Sequence, residues 1–449
     1  MNRFSLAAPP PSRGPGGLRN RTLAVASVVS VFTLLVGMLV ATSTVFGPTP
    51  AYAAPGNPGV PSAPRVLFTE DFDNAPNNSN ILLTNYVGAS GTTYTADPFW
   101  VSRRNCNGFI IDHGSSRLPG DCNGTNDSEA AGQDGYDFLT AIPRAIGLLN
   151  GQSSAQANLN GAAASYTAGS TGDNEVQFET RSPIQLPAAN RFVTFSVDAG
   201  AENCTSRHPQ LRFYLKNNAG AEFAVSDSPI DPCSDARART FQSVTQNGTP
   251  IEVRAGRFVA DNNRLVRGTT LGIVMRNEEG FGGGNDGAYD NIRVLDVTPQ
   301  LDKSFSPQRV PVNGVSTLTL TVTNTNELGE KNGWAFTDNL PDGLIVADNP
   351  NLGGTCQATR NATPGTGTVS ITDGVLAEGQ QSCTVTVDVT SKSPSGSEPS
   401  PVTYRNCAAN FSDVVGMDLP NCASVEFYSD AKLQIEKTSD ATSGTRVGD

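Results

Sequence analysis

The sequence predicts an all-β chain of two successive β-sandwiches, and three observations lead to that class. The first is Ser316–Asn324 (STLTLTVTN), where Leu318, Leu320 and Val322 alternate with Thr317, Thr319, Thr321 and Thr323. A period of two puts the aliphatic groups on one strand face and the hydroxyls on the other. The second is the return of this pattern at Cys383–Thr390 (CTVTVDVT), with Val385, Val387 and Val389 as the apolar row. Two such half-buried strands make the inner faces of a sandwich. The third is composition: 45 glycines, 30 prolines and only 16% charged residues suit short strands joined by turns. No helical period longer than about two turns stands out.

Residues 1–53 read as an export signal. Arg3, Arg13, Arg19 and Arg21 form a positive leader, Leu23–Val45 is uncharged and apolar, and Ala51-Tyr52-Ala53 is a small–x–small cleavage pattern. Cleavage is expected after Ala53 or Ala54. The apolar run approaches the ~20 residues that span a bilayer, so an uncleaved anchor is the alternative and the one expected route to a membrane. Residues 54–64, dominated by Pro, Ala and Gly, read as an extended, semi-rigid linker.

Residues 65–298 read as one large β domain. It opens at Val66–Asp73 (VLFTEDFD) and continues through Glu175–Thr180, Phe192–Asp198, Leu211–Lys216, Phe223–Ser226, Leu271–Arg276 and Tyr289–Leu295. Short strands separated by long loops, near Asn105–Asp137 and Asn150–Gly172, suit a jelly-roll-like β-sandwich. The opening VLFTEDFD and the closing GAYDNIRVLDV resemble the first and last strands of bacterial jelly-roll modules, carbohydrate-binding ones included. That resemblance covers the two ends of the domain.

Residues 299–429 read as the second sandwich. LDKSFSP (301–307), STLTLTVTNTN (316–326), WAFTDNLPDGLIV (334–346), GGTC (353–356) and CTVTVDVTS (383–391) follow one another. This order resembles the conserved-repeat domains of unknown function in bacterial surface proteins. The resemblance implies an Ig-like β-sandwich, one of a tandem series. Asp338–Gly343 (DNLPDG) makes a tight corner, with Pro341 fixing φ and Gly343 free to turn left-handed. In residues 430–449, Ile435-Glu436-Lys437-Thr438 followed by Val447-Gly448 echoes Leu301-Asp302-Lys303-Ser304 followed by Val312–Gly314. The tail therefore reads as the start of a further, truncated repeat.

A net charge of −12 argues against nucleic-acid partners, which demand clustered Lys and Arg. Eight cysteines without any CxxC spacing read as structural disulfides of an exported protein. Near-neighbour pairing is expected, Cys106–Cys122, Cys204–Cys233, Cys356–Cys383 and Cys407–Cys422, because short loops close most readily. No catalytic motif stands up. Asp112, His113 and Ser115 are adjacent in sequence, which is not triad geometry, and His113 and His208 read as loop histidines. Tyr86, Tyr94, Phe99, Trp100, Tyr136 and Phe138 are either core or a sugar-stacking surface, and Trp334 reads as core.

These readings converge on a secreted or cell-surface modular protein with a structural or adhesive role, no catalysis, and an extracellular glycan or protein ligand. The alternative is a calcium-dependent carbohydrate-binding module on an Ig-like spacer, with binding lost in Trp100→Ala. A glycan-acting hydrolase ranks below it, since it requires two carboxylates facing across a cleft. The calcium expectation rests on Glu70, Asp71 and Asp73 of the first strand meeting Asp286, Asp290 and Asn291 of the last. That set is oxygen-only and suits a structural calcium ion. The loop Asp121–Glu129 also alternates oxygen donors. A further expectation concerns covalent self-linkage. Some bacterial surface sandwiches join a first-strand lysine to a last-strand asparagine beside a buried acid. Lys303, with Asn406 or Asn410 and Asp388 or Glu426, has suitable chain positions.

Overall fold

A computed structural model describes residues 57–124, 128–205, 207–395, 399–429 and Glu436. The expected export signal and nearly all of the expected further repeat lie outside the described residues. Among the described residues strand outweighs helix by 45% to 8%, and the sheets stack as β-sandwiches, as the alternating patterns require.

In the first sandwich, one sheet runs in the order Arg239–Val244, Pro250–Val259, Arg191–Glu202, Asp286–Asp296, Ala162–Tyr166, Asn107–Ile111, Ile81–Leu82. The facing sheet runs Glu222–Ala224, Leu211–Asn217, Thr270–Asn277, Glu175–Thr180, Tyr94–Thr95. Aromatic rings fill the space between them: Phe72 and Phe178 each meet Tyr289 and Tyr94 with centroids 4.9–6.3 Å apart. The opening strand Arg65–Glu70 lies antiparallel beside the closing strand Asp286–Asp296, with Glu70 opposite Ile292. The expected adjacency of first and last strands is therefore present.

One element departs from the expectation of strands and loops alone. Residues Glu129–Leu149 form a helix that starts inside the first segment read as a long loop and ends just before the second. Its interior holds Gly132, Gly135, Gly147 and Pro143, all poor helix formers, and it buries one side while Glu129, Ala130, Gln133 and Asp134 stay exposed. Those three glycines and Pro143 break up the run of helix-forming residues, which is why the sequence does not announce the helix. Tertiary packing supplies the stability that propensity does not. Tyr136, Leu139, Ile142 and Ile146 lie on the outer face of the large sheet, against Ala162, Ala164, Val253, Ala255 and Ala288. Small residues on that face let the helix approach: a Cβ added at Gly200 would stand 3.1 Å from Ile142.

The second sandwich combines Gln300–Ser306, Val315–Thr323, Ser382–Thr390 and Ile345–Val346 in one sheet. A second sheet holds Gln357–Asn361, Thr368–Leu376, Lys331–Asn339 and Phe411–Val415, and a third holds Arg309–Pro311, Ala423–Tyr428 and Val402–Asn406. Leu318, Leu320, Val322, Val385, Val387 and Val389 all point into its core, together with Trp334.

Several contacts join the sandwiches, among them Asn263 with Glu327 and Glu330 and Asn190 with Val414. Phe192 leaves the first and packs in the core of the second, beneath Gly416, where an added Cβ would come within 2.4 Å of its ring. Arg191 is buried and pairs with Asp296 at 2.7 Å and Asp418 at 2.5 Å, one acid from each sandwich. The described part of the Pro-rich linker is a strap on the second sandwich. Gly59 N donates to Thr323 Oγ1 at 2.9 Å, and Ser62 forms a parallel bridge with Thr325. An extended proline-rich chain exposes its free backbone groups, and a neighbouring strand end satisfies them.

Candidate functional site

Three strands of the second sandwich each carry one polar residue in an inward row of apolar ones. Lys303 stands between Leu301 and Phe305, Asp338 follows Trp334 and Phe336, and Asn406 follows Tyr404. Alternation alone sends these three side chains toward the core. There they meet. Lys303 Nζ donates to Asn406 Oδ1 at 2.6 Å, and Asn406 Nδ2 donates to Asp338 Oδ1 and Oδ2 at 2.9 and 2.8 Å. Lysine has only donors and an ionised carboxylate only acceptors, so one orientation of the amide serves both neighbours. Its carbonyl faces the amine and its nitrogen faces the acid.

The surroundings are apolar. Asp338 and Asn406 are fully buried, and the Phe411 ring lies 4.3 Å from Lys303 Nζ. Burial pushes the Asp338 carboxyl up to about 6, with Lys303 and the Asn406 hydrogen bonds only partly offsetting it. Burial likewise lowers the Lys303 ammonium to about 8, against the attraction of Asp338. Both shifts favour uncharged partners. The site thus holds an amine poised to lose its charge, a carboxamide carbonyl in contact with it, and an acid on the amide nitrogen.

Of the residues expected around Lys303, Asn406 is in place and the others are occupied elsewhere. Asn410 donates to Asn339 O and accepts from Cys407 N. Asp388 accepts from Thr317 and Asn351, and Glu426 lies near Arg309 at the surface. The acid is Asp338, which sequence reasoning read only as part of a turn. Its signal was available: a charged residue in register with the inward Trp334 and Phe336.

The six residues expected to hold calcium separate into groups. Glu70 accepts from Phe72 N, Tyr86 Oη and Tyr94 Oη. Asp71 accepts from Asp73 N, while Asp73 accepts from Gly161 N and Asp290 from the neighbouring Asn160 Nδ2. Asp73 and Asp290 thus flank Asn160–Gly161, and Asn291 donates to Asp290. Asp286, at the far end of the same strand, accepts from Thr167 N and Asn203 Nδ2. It faces Glu202 across the strand pair, and burial drives both carboxyls up, to about 7 and about 8. No three of these acids bring ligand atoms within 4.8 Å of one another; among the described residues that holds only for His208, Asp231 and Cys233. There Cys233 is spent in the bridge to Cys204. As placed, the six side chains form no single ligand shell. In the loop read as Asp121–Glu129, residues 125–127 lie outside the described residues, and Asp121 pairs with Arg103.

All four near-neighbour disulfides are formed, and no described cysteine is free. Tyr86, Tyr94, Trp100 and Tyr136 are buried core residues, Phe138 stacks on Tyr166, and Phe99 is exposed. His113 contacts Thr140 O and His208 pairs with Asp231. A cleft of about 530 Å³ opens at the junction of the sandwiches. Lys216, Phe223, Arg264 and Arg267 line it from the first, and Glu330 and Asn332 from the second.

Residues 299–424 match the family model described as "Domain of unknown function (DUF7933)", a span lying within the second sandwich. No curated protein matches the chain. Among solved structures, the N-terminal domain of the Streptococcus gordonii adhesin Sgo0707 is similar at 11% identity and a TM-score of 0.26, over 56% of this chain and 60% of that one. The type II cohesin dyad of the ScaA scaffoldin of Acetivibrio cellulolyticus is similar at 9% identity and a TM-score of 0.16, over 53% of this chain and 84% of that one. Likenesses this weak bear on neither ligand nor activity.

Proposed function

We propose that this chain is an extracellular modular protein of the cell surface, structural and adhesive in role and without catalysis. The observation that carries the reading is the pairing of all eight cysteines, two bridges to each sandwich. Such bridges form and persist in oxidising compartments. Each also stabilises its sandwich by about 3 kcal/mol in the chain-entropy estimate.

The junction cleft is where a ligand fits. Arg264 and Arg267 set cations beside the half-exposed ring of Phe223, with Lys216 paired to Glu179, a combination suited to an acidic extracellular glycan or an acidic protein segment. Glu330 is the one carboxylate lining it, whereas a glycosidase needs two. The calcium-dependent carbohydrate-binding reading is weakened, because Trp100 is core and offers no stacking platform.

The test is binding of the full chain to arrays of acidic and neutral glycans and to immobilised matrix proteins. Binding to an acidic member, lost in Arg267→Glu and Phe223→Ala, supports the reading. Binding that survives both substitutions overturns the cleft as the ligand site, and no binding at all overturns the adhesive assignment. Binding abolished by a chelator would reinstate the calcium-dependent alternative.

A further inference from the structure

We propose that Lys303 and Asn406 join through their side chains in an intramolecular amide bond, formed by the chain itself with Asp338 as its acid. The inference is independent of any ligand. Three geometric observations lead to it.

First, nucleophile and electrophile are in contact. Lys303 Nζ stands 2.6 Å from Asn406 Oδ1, and the carbonyl carbon lies about 1.23 Å behind that oxygen. A small rotation of the lysine end brings nitrogen onto carbon, at the separation of a near-attack conformer. Second, both Asp338 oxygens sit on the amide nitrogen, the atom that must leave. Third, three separate strands fix the participants in one buried apolar site, where water competes poorly and opposing dipoles act strongly.

The step balances without a co-reactant. The neutral Lys303 amine attacks Asn406 Cγ, forming the C–N bond and pushing the carbonyl electrons onto oxygen. Asp338 takes a proton from the attacking nitrogen and delivers one to Nδ2. The C–Nδ2 bond breaks, the carbonyl re-forms, and ammonia departs. An amine and a carboxamide have become a secondary amide and ammonia, with no change of oxidation state.

Lys331 provides an internal contrast that rules out mere proximity as the criterion. Its Nζ also meets an asparagine carbonyl, Asn324 Oδ1, at 2.5 Å. There the acid, Glu327, lies on the lysine ammonium, and the amide nitrogen of Asn324 donates to the backbone carbonyls of Gly329 and Gln380. The ion pair holds the amine in its protonated, non-nucleophilic form, and the leaving nitrogen has no proton donor. The structure assigns no linkage to that pair.

The experiment is intact mass spectrometry of the full chain with its disulfides preserved, followed by peptide mapping. The expected parent mass is about 17 Da below that of the disulfide-bonded sequence, the mass of one ammonia. The Lys303 and Asn406 peptides should be recovered as one branched species that survives reduction. Lys303→Met should have the full sequence mass. Asp338→Asn should slow linkage about 100-fold or more, the usual contribution of a positioned acid–base group. Its folding is verified by the retention of all four disulfides. A folded parent at full sequence mass overturns the proposal without reference to any variant. So does a 17 Da deficit with the two peptides recovered apart, which would place the loss at a cyclised asparagine or a chain end.

Discussion

Lys303 and Lys331 occupy the same sandwich, and each reaches the side-chain oxygen of an asparagine. Burial lowers the pKa of both. They differ in where the carboxylate stands. Glu327 holds Lys331 directly, as a residue four positions away would from a neighbouring turn. Asp338 comes from another strand and bypasses Lys303 to clasp the amide beyond it. The first arrangement makes a buried ion pair, worth little net energy yet costly to break. The second leaves the amine toward its neutral form and loads the leaving group. The lesson is that the placement of one acid, on amine or on amide, separates a structural lysine from a reactive one.

Four perturbations test this difference. The largest effect is expected from Lys303→Met. A covalent ring spanning a sequence separation of 103 is lost, and in the chain-entropy estimate a loop near that length contributes about 4–5 kcal/mol. Urea unfolding should report it, and a change of a few tenths would favour an unlinked lysine. Lys331→Met is next, at about 3 kcal/mol, because it strands Glu327 and Asn324. It should leave the mass deficit intact; a deficit that vanished here instead would exchange the roles of the two sites. Glu327→Gln should cost about 1.5–3 kcal/mol, the worth of a hydrogen bond to a charged group, again read from the urea midpoint.

The smallest effect is a pH slope in the Lys303→Met chain. Asp338 has a folded pKa of about 6 against an ordinary 3.8, with Lys303 as a lowering influence. Between those values the folded state holds a proton that the unfolded state has released, so stability falls as pH rises through the window. Removing Lys303 extends that window upward. The urea midpoint should therefore be higher at about pH 4.5 than at about pH 7, and adding Asp338→Asn should flatten the difference. A slope of opposite sign would mean that Asp338 is charged in the fold.

Much of this was legible in the residues. The threonine–aliphatic alternations placed the strands of the second sandwich, and cysteine spacing gave the bridges. Lys303 and Asn406 were visible as partners because each belongs to a strand near an end of that domain. Asp338 was not, because the turn chemistry of DNLPDG drew the reading toward a loop while the inward row of Trp334 and Phe336 ran on to include it. The helix Glu129–Leu149 was hidden for another reason: Gly132, Gly135, Pro143 and Gly147 give it the composition of a loop, and packing against the sheet supplies what propensity lacks. The calcium set failed to converge through a matter of register. A bulge between Asp290 and Arg293 turns Asp290 toward Asn160, and Asp286 lies four residues away along a strand that rises about 3.3 Å per residue.

The strap at Gly59–Ser62 determines how tension travels through this chain. Ser62 is bridged to Thr325 of the second sandwich just before the polypeptide enters the first at Arg65, and Arg65 lies opposite Asp296 at its exit. A pull on the N-terminal side is therefore handed across the Ser62–Thr325 contact, and the first sandwich hangs beside the line of force with its entrance and exit clasped together. The first sandwich, mounted in this way, keeps its shape while the second is stretched.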